Sequence, residues 1–245
     1  MAAGFLACAA CRGVAGGVEI PEPMVFDLVR GLGAARGEVE ANALAVVPLD
    51  GDDPAASEVA PEVEVAVEDG LAVELEFPVL EGSLFSLKTA AQWTFDVDEE
   101  RGVAQGVQGI VERLLEEDAW HLTLLWVPGV RFDKRWSALA LVGVGAYVGG
   151  DVRDEVGLVA NVTGFCDLAP AWTLGLEVDT EVFAEAGWST LLMPQVQWES
   201  GGAWTVQAGA GALYVDGSVT AGSDLVVPET EGWFPQVAVR LIAEW

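Results

Sequence analysis

The sequence predicts an all-β protein, an antiparallel transmembrane β-barrel of about twelve strands. Three observations predict this fold. Apolar and polar residues alternate in short segments along nearly the whole chain, turn-forming residues separate these segments, and tryptophans stand at segment ends on the apolar side. A side-chain period of two is that of a β-strand, and a chain of this length can form one large domain.

Composition narrows the class of protein. The 245 residues include 39 Asp and Glu against 11 Lys and Arg, giving a net charge of −28. Even so, 52% of the residues are hydrophobic, ten are tryptophans, and mean hydropathy is +0.37. Disordered acidic chains have few aromatic residues, so this chain is expected to fold. The scarcity of Lys and Arg argues against a nucleic-acid partner and against polybasic attraction to an anionic membrane surface.

The chain divides into three parts. Residues 1–17, "MAAGFLACAACRGVAGG", resemble the apolar and small-residue parts of a secretory signal without its basic start, and we interpret them as a signal or leader. Residues 18–36 form an N-terminal segment, and residues 37–245 form the barrel. Cys166 is the one cysteine beyond the leader, so no internal disulfide is expected.

Twelve strands are predicted in the barrel domain, and Asp69-Gly70 between two of them is a strong hairpin signal. Their connections tend to alternate between long and short, with Asp96–Gly102 an exception among the short ones. The predicted strands are Gly37–Val47, Glu62–Glu68, Leu71–Phe77, Ser86–Phe95, Val103–Glu112, Trp120–Val130, Trp136–Val148, Gly157–Cys166, Trp172–Val182, Trp188–Trp198, Trp204–Tyr214 and Phe234–Trp245.

The tryptophans indicate which face meets which solvent. A soluble sandwich buries its apolar face, whereas a membrane barrel turns that face to lipid. Tryptophans at strand ends on the apolar face are typical of an interfacial girdle. Every backbone polar group must be paired in hydrocarbon, which requires a closed barrel. The residues assigned to the girdle and the closing strand are Trp93, Trp136, Trp172, Trp204, Leu241 and Trp245.

The last strand, "FPQVAVRLIAEW", has apolar residues at Val237, Val239 and Leu241 and ends on Trp245. This pattern resembles the terminal strand of bacterial outer-membrane β-barrels. The segment "PMVFDLVRGLGAARGEVEANALAVV" is also similar to the start of porin-like proteins of unassigned function. The resemblance implies an outer-membrane location, a lipid bilayer around the barrel, and recognition of the terminal strand by the barrel-assembly machinery. It implies no catalytic motif.

The face opposite the girdle is predicted to line the lumen. Arg240 on the last strand is expected near Glu38 or Glu40 on the first. Such a lining favours cations in a pore, or else forms a structural interior in which carboxylates pair with the few bases and water. The residues assigned to this solute path are Glu38, Glu40, Glu62, Glu64, Glu74, Glu76, Lys88, Arg131, Glu177, Asp179, Glu181 and Arg240.

Part of the same lining is apolar. An acidic wall facing an apolar one suits an amphiphilic solute, and the simpler alternative is that these side chains fill a narrow barrel. The apolar residues assigned to the lumen are Leu139, Leu141, Val159, Leu191, Met193, Leu213 and Ile242.

Residues suited to catalysis are few. His121 is the single histidine, and Thr123 follows it on the same strand face. A hydrolase needs a nucleophile beside a base, and His-x-Thr only approximates the His-x-Ser of known barrel lipases. No metal-spaced Cys/His set and no cofactor motif occurs, so we expect neither metal nor cofactor.

We therefore interpret the sequence as an outer-membrane channel or porin-like protein that passes small solutes, cationic or amphiphilic, and not as an enzyme. Two alternatives stay open. One is an outer-membrane lipid-modifying enzyme that uses His121. The other is a soluble β-barrel that binds a hydrophobic ligand.

Overall fold

The computed structural model describes residues 18–26, 28–49, 57–150, 154–184, 187–217 and 231–245. The leader predicted at residues 1–17 lies outside these ranges. Within them no helix is long and apolar enough to cross a membrane.

In the described residues, fourteen strands make up one antiparallel sheet. Twelve of them form the barrel. The remaining two, β4 and β5, form a small hairpin in the connection from β3 to β6, and β4 pairs with β2. The strands are β1 Val39–Pro48, β2 Glu58–Glu68, β3 Leu71–Glu76, β4 Val79–Leu80, β5 Ser83–Leu84, β6 Ser86–Asp98, β7 Val103–Leu114, β8 Ala119–Arg131, β9 Trp136–Val148, β10 Glu155–Ala169, β11 Trp172–Phe183, β12 Gly187–Glu199, β13 Trp204–Gly217 and β14 Gly232–Glu244.

The first and last strands close the barrel. Strand β1 pairs with β2 on one side and with β14 on the other. Trp245 extends this pairing beyond β14, since its N–H donates to the carbonyl of Val39 at 2.9 Å and its carbonyl accepts the Val39 N–H at 3.1 Å. The predicted twelve-strand barrel, closed by the terminal strand, is confirmed.

The predicted strands are all present, and their ends differ for local reasons. Strand β2 begins at Glu58, four residues before the predicted start, and it includes Pro61, which the prediction had left outside. Strand β6 continues to Asp98 through a bulge between Thr94 and Asp96. The connection to β7 is therefore residues 99–102. It is a tight turn like the other short connections, whereas the sequence predicted a longer one at Asp96–Gly102.

The outer surface carries the apolar side chains, as predicted for a barrel in lipid. All ten tryptophans are exposed, from 37% for Trp188 to 70% for Trp245. Leu124, near the middle of β8, is 61% exposed, so the apolar belt is continuous between the two tryptophan rims. A soluble barrel would bury such residues, and the soluble alternative is contradicted.

The two ends of the barrel differ. At the turn end, residues 69–70, 99–102, 132–135, 170–171 and 200–203 connect the strands, and Trp245 lies there too. In the 132–135 turn, the N–H groups of Arg135 and Trp136 donate to Asp133, which lowers the pKa of this carboxyl. The other end, the loop end, carries most of the longer connections, although residues 115–118 are short.

Candidate solute path and its N-terminal plug

Four glutamates lie side by side across the inner wall near the turn end. Glu244 of β14 is opposite Glu40 of β1, Glu40 is opposite Glu64 of β2, and Glu64 is opposite Glu74 of β3. Glu40, Glu64 and Glu74 are buried, and Glu244 is half exposed. Directly opposed like charges are unfavourable unless cations or donors lie between them, so this row creates a strong local demand for positive charge.

A second polar row crosses the wall two residues further along the strands. It begins with Asn42, Glu62, Glu76 and Lys88 on β1, β2, β3 and β6. It continues as Glu112, His121 and Tyr147 on β7, β8 and β9. The row joins the acidic wall to the single histidine and leads toward the loop end of the barrel.

Two strand bases compensate part of this charge. The Arg240 guanidinium contacts Glu62 at 2.8 Å and Glu64 at 3.7 Å. Lys88 pairs with Glu76 and lies 4.0 Å from Glu74. Arg240 was expected near Glu38 or Glu40, and it does interact with Glu40. Its guanidinium also contacts the two carboxylates of the next strand, β2, and donates to the carbonyl of Pro23 at 3.3 Å.

A base from outside the barrel wall joins Arg240 beside Glu40. Arg30, in the N-terminal segment, contacts Glu40, and its Nη2 lies 3.3 Å from Glu38 and 3.7 Å from Glu244. Its side chain is only 7% exposed. Arg30 therefore bridges the two opposed carboxylates of β1 and β14, and Glu22 of the plug is a further charged partner of this guanidinium.

Residues 18–26 and 28–36 enter the lumen from the turn end and return to it, and we call these residues the plug. At one limb, the carbonyl of Glu19 accepts a hydrogen bond from Arg131, the last residue of β8. At the other limb, the carbonyl of Ala34 accepts from the N–H of Gly70 at 2.8 Å. Between them, Met24, Leu28 and other plug side chains are buried in the barrel.

Glu177 of β11 holds the innermost part of the plug. Its carboxylate accepts the backbone N–H groups of Met24, Val25 and Phe26 at 2.9, 3.2 and 2.8 Å. The side-chain amides of Asn161 and Gln195 donate to it at 3.0 and 2.9 Å. Five neutral donors thus satisfy one buried carboxylate.

Glutamines on opposite walls bind the plug backbone. Gln92 of β6 donates to the carbonyl of Arg30 at 2.6 Å, and Gln207 of β13 donates to the carbonyl of Glu22 at 3.1 Å. Because β6 and β13 lie far apart in the strand order, the plug is tied across the lumen.

Apolar side chains of the plug complete the interior. Phe26, Leu28, Val29 and Leu32 pack with residues that include Leu139, Leu141 and Val159. Met24 and Val25 pack on another wall with residues that include Leu191, Met193 and Leu213. All seven apolar lumen residues predicted from the sequence are buried. All of them except Ile242 form the surfaces on which the plug lies.

The remaining predicted path residues are dispersed. Arg131 is at the turn end and pairs with Asp167 at 2.9 Å. Asp179 accepts a hydrogen bond from Asn161, which links it to Glu177. Glu181 is buried one step nearer the loop end. All of these lie on inner faces, and their role in solute passage stays a prediction.

Sequence reasoning missed Glu112, Gln92, Gln207 and Asn161 as lumen residues. Each has the alternation phase of its strand's inner face, as Glu112 does with Ile110, so the period of two was a sufficient signal. Arg30 was missed for a different reason. The plug has no strand periodicity, and nothing local indicates where it lies.

A second constellation surrounds the histidine near the loop end. His121 Nδ1 lies 3.5 Å from a carboxylate oxygen of Glu112, and His121 Nε2 lies 3.4 Å from the Thr123 hydroxyl. The Tyr147 ring stacks on the imidazole with centroids 4.3 Å apart. The order of acid, imidazole and hydroxyl is that of a hydrolase triad.

The closed antiparallel barrel, its apolar belt and its tryptophan rims define the class: the chain has the fold of bacterial outer-membrane β-barrels. Residues 17–138 match a family model described as HAEPLYID-like. The match covers the plug and the strands through β8. No curated protein sequence matches the chain significantly.

Solved structures share this fold at low sequence identity. The COG4313 outer-membrane channel from Pseudomonas putida F1 is 10% identical, with a TM-score of 0.65 over 89% of this chain and 99% of that one. The NanC porin is 8% identical, with a TM-score of 0.62 over 84% and 98%. The KdgM porin is 7% identical, with a TM-score of 0.59 over 83% and 98%. At such identities the likeness concerns the fold.

Proposed function

We propose that this barrel is an outer-membrane channel for small cationic or amphiphilic solutes, and that its structure here is a closed state. The observation that carries the proposal is the row of opposed glutamates across β14, β1, β2 and β3. A wall lined by charge of one sign concentrates the opposite sign along the path. Neighbouring folds whose names describe channels and porins support the same reading.

The solute class follows from the lining. One neighbour, KdgM, has been studied in complex with oligogalacturonate, a carboxylated saccharide. The acidic wall of the present barrel would repel such an anion. The apolar surfaces that hold the plug add affinity for an amphiphilic solute, one with an apolar part and a cationic group.

Single-channel recording in a planar bilayer under a salt gradient tests the proposal. The reversal potential depends on the open state alone, so rare openings are sufficient. We expect potassium to be preferred over chloride by about fivefold or more, because the wall is acidic. The substitution Glu64→Gln should reduce that preference, and Glu116→Gln, at an exposed loop-end position, is the matched control. A chloride preference, or a protein that never opens, would contradict the proposal.

The second candidate is a lipid hydrolase that uses Thr123 as nucleophile. The Glu112, His121 and Thr123 distances favour it. Against it, the site is buried next to a cluster that includes Leu114, Tyr147 and Phe183, which a lipid would have to displace. Phospholipid hydrolysis that is lost in His121→Ala would establish this activity. Equal, background turnover by both proteins would remove it.

A further inference from the structure

The barrel wall is shaped to receive the plug. A Cβ atom added at Gly209 of β13 would lie 2.5 Å from Cε of Met24, and one added at Gly129 of β8 would lie 2.6 Å from Cδ1 of Ile20. Glycine at both positions lets the plug side chains lie close to the wall, and a larger residue would have to displace the end of Met24 or of Ile20. The plug is therefore a fitted element of the barrel.

Within the plug, Arg30 occupies a carboxylate site that is built from the wall. Glu38 and Glu40 come from the β1 side of the closing seam and Glu244 from β14. Glu40 and Glu244 are paired in the sheet register, so the site has two opposed negative charges whether or not the plug is present. Arg30 is the plug guanidinium that this pair binds in the closed state, with Glu22 beside it in the plug and Arg240 acting on Glu40 from the wall.

The rim of this site is open to water at the turn end. The side chain of Glu244 is 51% exposed and that of Glu38 is 34% exposed, whereas Arg30 is 7% exposed. A cation arriving from the turn end can thus contact Glu244 and Glu38 before Arg30 leaves. Guanidinium groups bind carboxylate pairs through a planar set of donors, and ammonium groups bind them as point charges.

We propose that the plug is autoinhibitory and that its Arg30 is an internal stand-in for the cationic group of a solute. A guanidinium-bearing solute competes with Arg30 for the site formed by Glu38, Glu40 and Glu244. The plug is released when the solute replaces Arg30 at these carboxylates. The inference rests on the proposed channel function, and it adds the ligand class and the means of opening.

Two readouts test this inference. The first is channel open probability in planar bilayers. The second is amide hydrogen exchange at Met24, Val25 and Phe26, which reports plug release whether or not ions pass. The probes are guanidinium chloride and L-argininamide at millimolar concentration, added to each side in turn, against sodium chloride at equal ionic strength.

We expect the guanidinium probes, added at the turn end, to raise open probability and plug exchange in the natural protein by about tenfold. The substitution Arg30→Gln should raise both without a probe and remove the response to guanidinium. Arg101→Gln is the matched control, because Arg101 is a turn-end arginine whose side chain is 82% exposed and which contacts Asp98.

A steric variant tests displacement of the plug without a change in the Arg30 ion pairs. Gly209→Leu should displace Met24 and open the channel without a change in charge. Gly109→Leu is its control, since a Cβ at Gly109 meets no atom within 4 Å. Heat-modified migration on gels confirms that each variant is a folded barrel.

The outcomes are distinguishable. Opening in Gly209→Leu with an unchanged Arg30→Gln would overturn the guanidinium site. Equal responses to guanidinium and sodium would overturn it as well. Guanidinium-dependent plug exchange without conductance in any variant would support the site and contradict the channel function.

Discussion

At the scale of single residues, the lumen shows two ways to hold a buried carboxylate. Glu62 is compensated by the Arg240 guanidinium. Glu177 is instead compensated by neutral N–H donors, three of which belong to the plug backbone. A buried charge is costly without such partners. The plug is therefore held to the wall by its hydrogen bonds to the Glu177 carboxylate.

The first prediction concerns that carboxylate. Glu177→Gln should speed amide exchange at Met24, Val25 and Phe26 by about tenfold or more, because hydrogen bonds to a charged group contribute about 1.5–3 kcal/mol. Exchange measured by mass spectrometry on the folded barrel checks this. Glu181→Gln, on the same inner face, is the control. Equal exchange in both variants would show that Glu177 does not hold the plug.

At the scale of elements, the closing strand has two tasks. Its backbone seals the β1–β14 seam as far as the Trp245–Val39 pair. Its outward side chains, Leu241 and Trp245, are exposed at the lipid surface. Backbone pairing governs closure, whereas we propose that the side-chain pattern is the signal recognised by the assembly machinery.

The second prediction separates these tasks. Trp245→Ala keeps both backbone hydrogen bonds and should refold into lipid vesicles nearly as well as the natural chain. In cells, the same variant should yield several-fold less folded barrel if the aromatic residue is read during assembly. Trp204→Ala, which removes another turn-end tryptophan, is the control. Similar losses for both variants in cells would argue against a signal specific to Trp245.

At the scale of the whole molecule, the barrel is apolar outside and polar within, the reverse of a soluble domain. The outer belt includes Leu124, and the inner wall includes Glu40, Glu64 and Glu177. The interior is also filled. Among the described residues, a small cavity beside Met24, Glu62 and Arg240 has room for about one water molecule. Around this cavity, the described plug and wall residues are closely packed.

The third prediction tests the position of the membrane. Leu124→Arg, in the middle of the belt, should lower the free energy of unfolding by about 2–4 kcal/mol, because the charge enters hydrocarbon. Leu168→Arg, at the turn-end rim and similarly exposed at 57%, should cost about 0–1 kcal/mol. Equilibrium unfolding in lipid vesicles measures both. Equal costs would contradict the assigned belt.

The strands could be predicted wherever the alternation was unbroken. Strand β9 matches its predicted bounds, Trp136–Val148, at both ends. The start of β2 was missed because Pro61 normally excludes a strand; here its carbonyl still accepts the N–H of Phe77 at 3.0 Å. The β4–β5 hairpin was missed because each strand has only two residues, too few to show a period.

The candidate site could be predicted only in part. The phase of each strand placed Glu40, Glu64 and Glu74 on the inner face. It did not show that they form one row, because that depends on the register between strands. The register follows from pairing around the whole barrel, including the β1–β14 seam.

The sequence by itself determined the architecture. A period of two, ten tryptophans on one face and apolar alternation in the last strand predict a closed barrel with lipid outside. Only the tertiary structure decided what fills the lumen. The contacts of Arg30 with Glu40 and of Met24 with Glu177 join the plug to distant strands, and no local pattern encodes them. They arise because opposed buried carboxylates require donors, and the plug is the part of the chain whose donors and apolar side chains fit the space.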